Sequence, residues 1–439
     1  MRLRRLCVVS DTRDDASPYS RATRAELWTT AAIFATFCVV VLLRSPQLLE
    51  PDDYAYRASI VALSEGHVLL TNAQFLALRA QLSVHGGPGI VQWVHLENGF
   101  WISQKNPGYP FFAVVFQWIH ALRVAPLFYG ACACAGLFYG AQRWLGRWGG
   151  AVVVALYCSS GAALIFAWRA TIATFTDASL IATAAGLLLG VLLSTDDPPR
   201  RRLVLGALAF LALDGAVFIR YTDVVELIVA LVAVAAFARA CAIPKSAVAV
   251  WIAVVAGFAV FDLWFNHYLY GGYLKTGYAS GLVTFASSAI APNLEKMPSR
   301  LVVSMPMSVL AIAAVIWIAI RAGRRDLDKE HDGAVALVLV IGWFAIWGLY
   351  LAYTWTVGQT VGHINPVHVI RFYVPALGLI ALLAAWFVLR LPRRAAPTLL
   401  VVLFGLGAWY YVAPSNDTIV HPPLPLHKVA PGPGQVVGP

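Results

Sequence analysis

The sequence predicts an all-α polytopic membrane protein with about eleven transmembrane helices. Of its 439 residues, 60% are hydrophobic and only 12% are charged. The mean hydropathy is +0.72, whereas a water-soluble domain carries about twice this share of charged residues to solvate its surface. Apolar runs of about 17–25 residues, the length that crosses a bilayer as a helix, recur from one end of the chain to the other.

Hydropathy marks twelve apolar segments, and the distribution of positive charge removes one of them. Segment 108–122 covers about 22 Å as a helix, which is short of the ~30 Å hydrocarbon core. If it does not cross, 20 of the 32 Lys and Arg residues lie on the cytoplasmic side; if it crosses, only 14 do. Cytoplasmic loops are the basic ones, so we predict that this segment is a juxtamembrane helix on the outer face. The eleven predicted spans are 27–43, 124–141, 150–168, 177–193, 203–219, 224–239, 247–265, 303–320, 334–353, 371–390 and 398–413.

This topology places the chain in the plasma (inner) membrane with its N-terminus in the cytoplasm. The net charge of +10 follows from the short basic loops, so we expect the lipid bilayer and no nucleic acid as a partner. Asn98-Gly99, between two apolar and aromatic runs, predicts a β-hairpin in the first outer loop. The predicted regions are a cytoplasmic tail (1–26), a transmembrane domain (27–413) with large extracytoplasmic loops at 44–123 and 266–302, and a disordered, Pro- and Gly-rich extracytoplasmic tail (414–439).

Ionisable side chains gather at the outer ends of the predicted helices. Asp52 and Asp53 are adjacent just after the first span, and acids held beside a bilayer are costly unless they serve a function. Arg and Lys bind the phosphate of an anionic lipid, and a carboxylate removes the proton of a hydroxyl or amine acceptor. Group transfer from a lipid phosphate needs both. Other ionisable residues on this face are Arg57, Lys105, Arg169, Asp177, Asp214, Arg220, Asp223, Glu226, Asp262 and Arg371.

Four short motifs follow one another along this outer face. They are Asp52-Asp53-Tyr54, Lys105-Asn106-Pro107-Gly108-Tyr109-Pro110, the stretch from Trp168-Arg169 to Thr176-Asp177, and Arg371-Phe372-Tyr373-Val374-Pro375. Together, in this order, they resemble the GT-C superfamily of membrane glycosyltransferases. The protein-O-mannosyltransferases and the bacterial lipid A aminoarabinose transferases are the members that the motifs resemble.

The resemblance implies a GT-C-like fold and an inverting transfer of a sugar from a polyprenyl-phosphate-linked donor on the extracytoplasmic side. Asp52 is then the general base that activates the acceptor, and Asp177 helps to position the acceptor or the donor. The residues by themselves do not separate Asp52 from Asp53, so both stay catalytic candidates. The candidates for binding the donor phosphate are Lys105, Arg169, Arg220 and Arg371.

The sequence leaves the substrates and the cofactor open. Tyr54, Arg57, Tyr268 and Tyr270 are candidates for substrate contact, although tyrosines of an interfacial aromatic belt give a similar pattern. No cofactor is required by the residues, yet a carboxylate such as Asp52 beside a phosphate is an environment that Mg²⁺ or Mn²⁺ favours. The acceptor is a lipid, a glycan or a protein. A protein acceptor is disfavoured because the His-Pro-Pro-x-x-Lys run of the protein-O-mannosyltransferases is missing.

The alternative function is a transporter or flippase of a lipid-linked saccharide. Transporters are commonly built from two related halves with a binding site at the middle of the membrane. Here the outer loops are unequal in length and the polar groups lie at one face. The sequence therefore favours the transferase.

Overall fold

The computed structural model describes residues 22–45, 48, 51–83, 89–278, 284–323, 330–358 and 369–413, and the predicted C-terminal tail lies outside these residues. The described part is helical, with one two-stranded sheet, β1 (Trp93–His95) and β2 (Trp101–Ser103). The helices are α1 (Arg24–Leu43), α2 (Pro51–Ser64), α3 (Asn72–Leu82), α4 (Gly108–Trp118), α5 (Ala125–Leu145), α6 (Gly149–Ser159), α7 (Gly161–Trp168), α8 (Thr174–Leu193), α9 (Pro199–Ile219), α10 (Val224–Phe237), α11 (Lys245–Tyr270), α12 (Ile290–Ser304), α13 (Met307–Gly323), α14 (Glu330–Leu351), α15 (Thr354–Gly358), α16 (Leu377–Val388) and α17 (Ala395–Val412).

Within the described ranges, seven helices are long and apolar enough to cross a membrane: α1, α5, α8, α9, α11, α14 and α17. Two bent pairs raise this number to nine if each pair is one span. The α6–α7 pair bends by 64°, and the α12–α13 pair bends by 105°. The prediction of a multi-pass helical membrane protein is confirmed.

The predicted count of eleven spans is not confirmed. The two remaining candidates, 224–239 and 371–390, contain α10 with 14 residues and α16 with 12. Regular helices of these lengths measure about 21 and 18 Å, which is less than the ~30 Å core. Hydropathy alone marks a segment as apolar, but it does not report where turns shorten the helix.

Segment 108–122 forms a short helix that does not reach across a membrane. Helix α4 has 11 residues, about 16 Å, and it ends where His120 takes a positive φ of 56°. Its first residue, Gly108, lies against the end of α9, because a Cβ there would stand 2.4 Å from the backbone of Phe218. Helix α4 therefore packs on α2 and α9 beside the residues that we describe as the site.

The predicted hairpin is confirmed by the antiparallel pairing of β1 with β2, in which Val94 faces Ile102. Gly99 has a φ of +84° in the connecting turn, a conformation that glycine adopts without steric cost. Trp101 of β2 stacks on Phe75 of α3 with ring centroids 4.1 Å apart. The hairpin and α3 thus form a small apolar cluster with α2, and β2 leads directly to Lys105.

The core of the bundle is built around α8. In its membrane-crossing window 78% of the residues are buried, against 11% for α11 and 17% for α1. Helices α5, α9 and α16 pack around α8, so the first turn of α8, which carries Asp177, is held at the centre of the bundle. The outer helices cover this centre and expose apolar side chains such as Val232, Trp264 and Val401, as a surface in lipid requires.

Candidate active site

Asp52 and Asp53 lie in the first turn of α2 and contact different partners. Carboxylates are favourable at this position because the N-terminus of a helix carries partial positive charge. Asp52 accepts from the Lys105 ammonium at 2.7 Å and from the Arg371 guanidinium at 3.0 Å. Asp53 pairs with Arg169. The two adjacent acids are therefore held by two separate sets of cations.

The exposure of the two carboxylates also differs. The Asp52 side chain is 12% exposed, whereas the side chains of Asp53 and Arg169 are 0% and 1% exposed. Thr171 completes the buried pair by donating a hydrogen bond of 2.8 Å from its hydroxyl to Asp53. Asp52 can therefore meet a substrate, while Asp53 is enclosed by protein.

Lys105 reaches Asp52 from the end of the hairpin. Its backbone N–H donates to Ser103 Oγ at 3.1 Å, and its ammonium lies 3.4 Å from the Tyr278 hydroxyl. Burial favours the neutral amine and by itself lowers the pKa of Lys105, but the Asp52 carboxylate and the Tyr278 hydroxyl together raise that pKa above its ordinary value. Lys105 therefore carries its charge in this buried position.

A second set of charged groups lies where α8, α9 and α10 meet. The Arg220 guanidinium, at the C-terminal end of α9, is 3.4 Å from Asp177 in the first turn of α8. Burial opposes the charge of Arg220, but Asp177, with smaller contributions from Tyr350, Asp223 and Tyr56, raises the pKa of Arg220 above its ordinary value. Asp223 and Glu226 follow one turn apart, with exposures of 1% and 5%.

Asp177 and Asp223 are neighbouring buried carboxyl groups, with exposures of 0% and 1%. Burial, followed by the negative charge of Asp177, raises the pKa of Asp223 well above its ordinary value. Burial and the neighbouring carboxylate thus favour the protonated form of Asp223, while the Arg220 guanidinium lies beside Asp177. With Glu226, three carboxyl groups and the Arg220 guanidinium lie together in this part of the structure.

Tyr56 and Phe372 connect the two sets of charges into one site. Burial raises the pKa of the Tyr56 hydroxyl well above its ordinary value; Asp52 raises it further, while Arg220 and Arg371 oppose the shift. The guanidinium groups of Arg220 and Arg371 lie 5.7 and 4.8 Å from the ring centroid of Phe372. Charged groups of both sets therefore shift the pKa of the Tyr56 hydroxyl, and one guanidinium of each set lies near the Phe372 ring.

The remaining predicted contact residues lie at different distances from this site. Tyr270 is buried and lines a cavity of about 350 Å³ together with Lys105. Tyr54 and Arg57 lie near one another on α2, and Tyr54 also interacts electrostatically with Asp53. Tyr268 lies apart, because its ring is 58% exposed and stacks on Trp264. The predicted residues that the structure brings together are Asp52, Asp53, Lys105, Arg169, Asp177, Arg220 and Arg371.

Sequence reasoning missed several residues of the site. Thr171 carries no charge and follows Arg169 by two positions, so only its place between two motif residues could have marked it. Tyr56 lies two positions after the Asp52-Asp53-Tyr54 motif. Phe372 belongs to the Arg371–Pro375 motif, but the sequence indicates no role of its own for it. Among the described residues, no group of three or more His, Cys, Asp or Glu side chains could hold a metal ion. A Mg²⁺ or Mn²⁺ ion between Asp52 and a phosphate stays a prediction.

Comparisons with known proteins support the fold. No family model matches the chain, and no curated protein matches it in sequence. The crystal structure of ArnT from Cupriavidus metallidurans bound to undecaprenyl phosphate is similar, with a TM-score of 0.51 and 16% identity over 87% of this chain and 63% of that one. The oligosaccharyltransferase of Archaeoglobus fulgidus in its apo form gives a TM-score of 0.51 and 11% identity over 88% of this chain and 55% of that one.

These likenesses confirm the GT-C-like fold that the sequence motifs imply. This chain spans less than two thirds of the length of either structure. Its activity, substrates and partners are therefore argued from its own residues.

Proposed function

We propose that the protein is an inverting glycosyltransferase. It moves a sugar from a polyprenyl-phosphate-linked donor to an acceptor on the extracytoplasmic face, and Asp52 is the general base. The observation that carries this proposal is the placement of the partly exposed Asp52 carboxylate between two buried cations, Lys105 and Arg371. A base for the acceptor and two ligands for a phosphate thereby meet at one point.

The transfer step needs one base and one cationic binding site. Asp52 takes the proton from the acceptor hydroxyl or amine, whose electron pair forms a bond to the anomeric carbon of the sugar. The bond between that carbon and the phosphate oxygen breaks, and its electron pair stays on the phosphate. Attack from the face opposite the phosphate inverts the anomeric configuration. A polyprenyl phosphate is a good leaving group once cations stabilise its negative charge.

Lys105 and Arg371 are the residues that we assign to the donor phosphate. Arg binds phosphate by parallel hydrogen bonds, and Lys supplies a compact positive charge. Both cations pair with Asp52 in this structure, so a donor phosphate must draw them away from the carboxylate. A carboxylate that loses cationic neighbours binds a proton more readily. Donor binding would thus prepare Asp52 to act as the base.

The other charged residues have supporting roles in this proposal. Asp53 and Arg169 are enclosed and pair with one another, so we assign them to holding the first turn of α2 in place. Arg220 is 17% exposed at its side chain and can add a further positive charge at the donor phosphate. Asp177 orients Arg220 and positions the substrates.

The orientation in the membrane rests on the charge distribution of the sequence. The short basic loops of the predicted topology lie in the cytoplasm. The opposite ends of the helices, which carry Asp52, Lys105, Arg220 and Arg371, then lie outside. Lipid-linked sugars on that side serve as donors without a nucleotide. Placement in the plasma (inner) membrane follows the same argument.

The direct test uses the purified protein in proteoliposomes with radiolabelled polyprenyl-phosphate sugars and a lipid extract from the cell envelope as a source of acceptors. We expect labelled product and released polyprenyl phosphate, and an anomeric configuration opposite to that of the donor by NMR. Movement of labelled donor across the bilayer with no product would contradict the proposal and establish the transporter. Retention of the anomeric configuration would contradict the single-displacement mechanism.

A further inference from the structure

An apolar groove adjoins the second set of charged residues. It is lined mainly by α8, α10 and α14. Small residues make the space, because Ala230, Ala233 and Gly342 stand where larger side chains would fill it. Among the described residues that line the groove, Glu226 is the charged one.

The groove continues directly from the charged site. Ile181 and Leu192 in its wall follow Asp177 by 4 and 15 residues on α8, so the helical face that bears Asp177 becomes the groove wall. From Glu226 to Phe237 the wall on α10 extends for about 17 Å. A hydrocarbon chain can lie along this wall with its polar end beside Asp177 and Asp223.

Glu226 marks the polar end of the groove. It is 5% exposed, and its Oε1 atom has no hydrogen-bond partner in the described part of the chain. A buried carboxyl oxygen without a partner is costly unless a ligand supplies a donor. The groove therefore combines a long apolar wall with one oxygen that needs a hydrogen bond.

The charges at this end distinguish between two kinds of lipid head. Asp177, Asp223 and Glu226 are accompanied by one guanidinium, that of Arg220. A phosphate would meet carboxyl oxygens that repel it, whereas a hydroxyl or an ammonium group would find acceptors. Lys105 and Arg371, which pair with Asp52, form the other set of charges of the site.

We infer that this groove binds the hydrocarbon chain of the acceptor, which is a lipid whose head donates hydrogen bonds through hydroxyl or ammonium groups to Glu226 and Asp223. This inference deepens the proposed function and rests on it, because a bound lipid is an acceptor only if the protein is a transferase. The donor phosphate and the acceptor head then approach Asp52 from two sides, the first along the cationic residues and the second along the acidic ones.

The test measures binding without turnover, in nanodiscs, by native mass spectrometry. The probes are hexadecylamine, hexadecan-1-ol and hexadecyl phosphate, which share one chain and differ in the head. Ala233→Phe fills the groove, and Val232→Phe places the same ring on the outer face of α10, where Val232 is 63% exposed. Glu226→Gln keeps the size of the side chain and removes its charge.

With excess inorganic phosphate present to occupy Lys105 and Arg371, we expect the wild-type protein to bind the amine and the alcohol at least about tenfold more tightly than hexadecyl phosphate, as hydrogen bonds to a buried charged group allow. Ala233→Phe should lose this binding, Val232→Phe should retain it, and Glu226→Gln should weaken the amine more than the alcohol. If Ala233→Phe fails to fold, the preference of the wild-type protein among the three head groups, and the change of that preference in Glu226→Gln, still test the inference.

Tighter binding of the phosphate, lost in Ala233→Phe, would overturn the inference and make this the site of the donor chain. Probe binding that is equal in Ala233→Phe and Val232→Phe would overturn it as well. These outcomes are separate from the proposed function, because a transferase that binds its acceptor outside this groove would still form product and release polyprenyl phosphate. Conversely, selective probe binding without any transfer would contradict the proposed function alone.

Discussion

Asp53 illustrates how a single buried residue holds the site in place. Its carboxylate pairs with Arg169 and accepts a hydrogen bond from Thr171, and both partners lie more than 100 residues from Asp53 in the chain. The sequence marks each charged residue as a candidate, but it does not tell which cation meets which acid. That pairing depends on how α2 docks against the turn before α8. Only the structure distinguishes the enclosed Asp53 from the accessible Asp52.

The substitution Asp53→Asn should destabilise the protein strongly. Removing one partner of a buried ion pair leaves an unpaired charge, which costs about 3–5 kcal/mol, so we expect a clear fall in the thermal midpoint in detergent. Asp332→Asn is the matched control, because Asp332 pairs with Arg390 where both side chains are partly exposed. Equal falls in the thermal midpoint of the two variants would show that the buried Asp53 pair stabilises the protein no more than the partly exposed Asp332 pair.

Asp223 should make the stability of the protein depend on pH. Burial raises its pKa in the folded state above the value in the unfolded chain, so the stabilisation from its protonated form is complete below the ordinary Asp value of about 3.9. That stabilisation is lost as the pH rises through the raised pKa. The thermal midpoint should therefore fall with rising pH in the wild type and less steeply in Asp223→Asn. An unchanged slope in Asp223→Asn, equal to that of the exposed control Asp196→Asn, would contradict this assignment.

Among the elements, the hairpin was the most predictable from sequence and the shorter membrane helices the least. Asn98-Gly99 dictates a turn by local backbone chemistry, and β1 pairs with β2 as that turn requires. Helices α10 and α16 are apolar enough to suggest spans, but turns at Tyr221–Asp223 and Val374–Ala376 shorten them. Those turns position Arg220 and Arg371, so the departure from regular helix coincides with the site.

Helix α4 offers a test of how one element positions Lys105. A methyl group at Gly108 would stand 2.4 Å from the backbone of Phe218, so Gly108→Ala must move the start of α4 away from α9. Lys105 lies three residues earlier and should shift with it, and we expect weaker donor binding together with lower stability. Gly257→Ala on α11 is the control, because nothing lies within 4 Å of the added atom. Unchanged donor binding in Gly108→Ala would show that α4 does not position Lys105.

For the whole molecule, the sequence predicted the fold class and the grouping of the charged residues more completely than the number of spans. Composition alone requires a membrane protein, and counting Lys and Arg identifies 108–122 as the segment that does not cross. The acidic end of the groove at Glu226 could not be predicted, because its walls come from α8, α10 and α14, which are distant in the chain. Sequence motifs locate the ends of the helices, whereas a groove between helices depends on how the helices pack.

The central claim is that Asp52 is the base of a sugar transfer. Asp52→Asn keeps the size of the side chain and removes the base, and a general base contributes about 10²–10⁴-fold to the rate. Glu65→Gln is the control, because Glu65 is an exposed acid that follows the same helix.

The most direct measurement compares single-turnover release of polyprenyl phosphate with equilibrium binding of the donor in these two variants. We predict that Asp52→Asn lowers the rate by at least about 10²-fold while it binds the donor at least as tightly as the wild type, because Lys105 and Arg371 are retained and no longer pair with a carboxylate. Glu65→Gln should match the wild type in both measurements. Wild-type release by Asp52→Asn would contradict the claim.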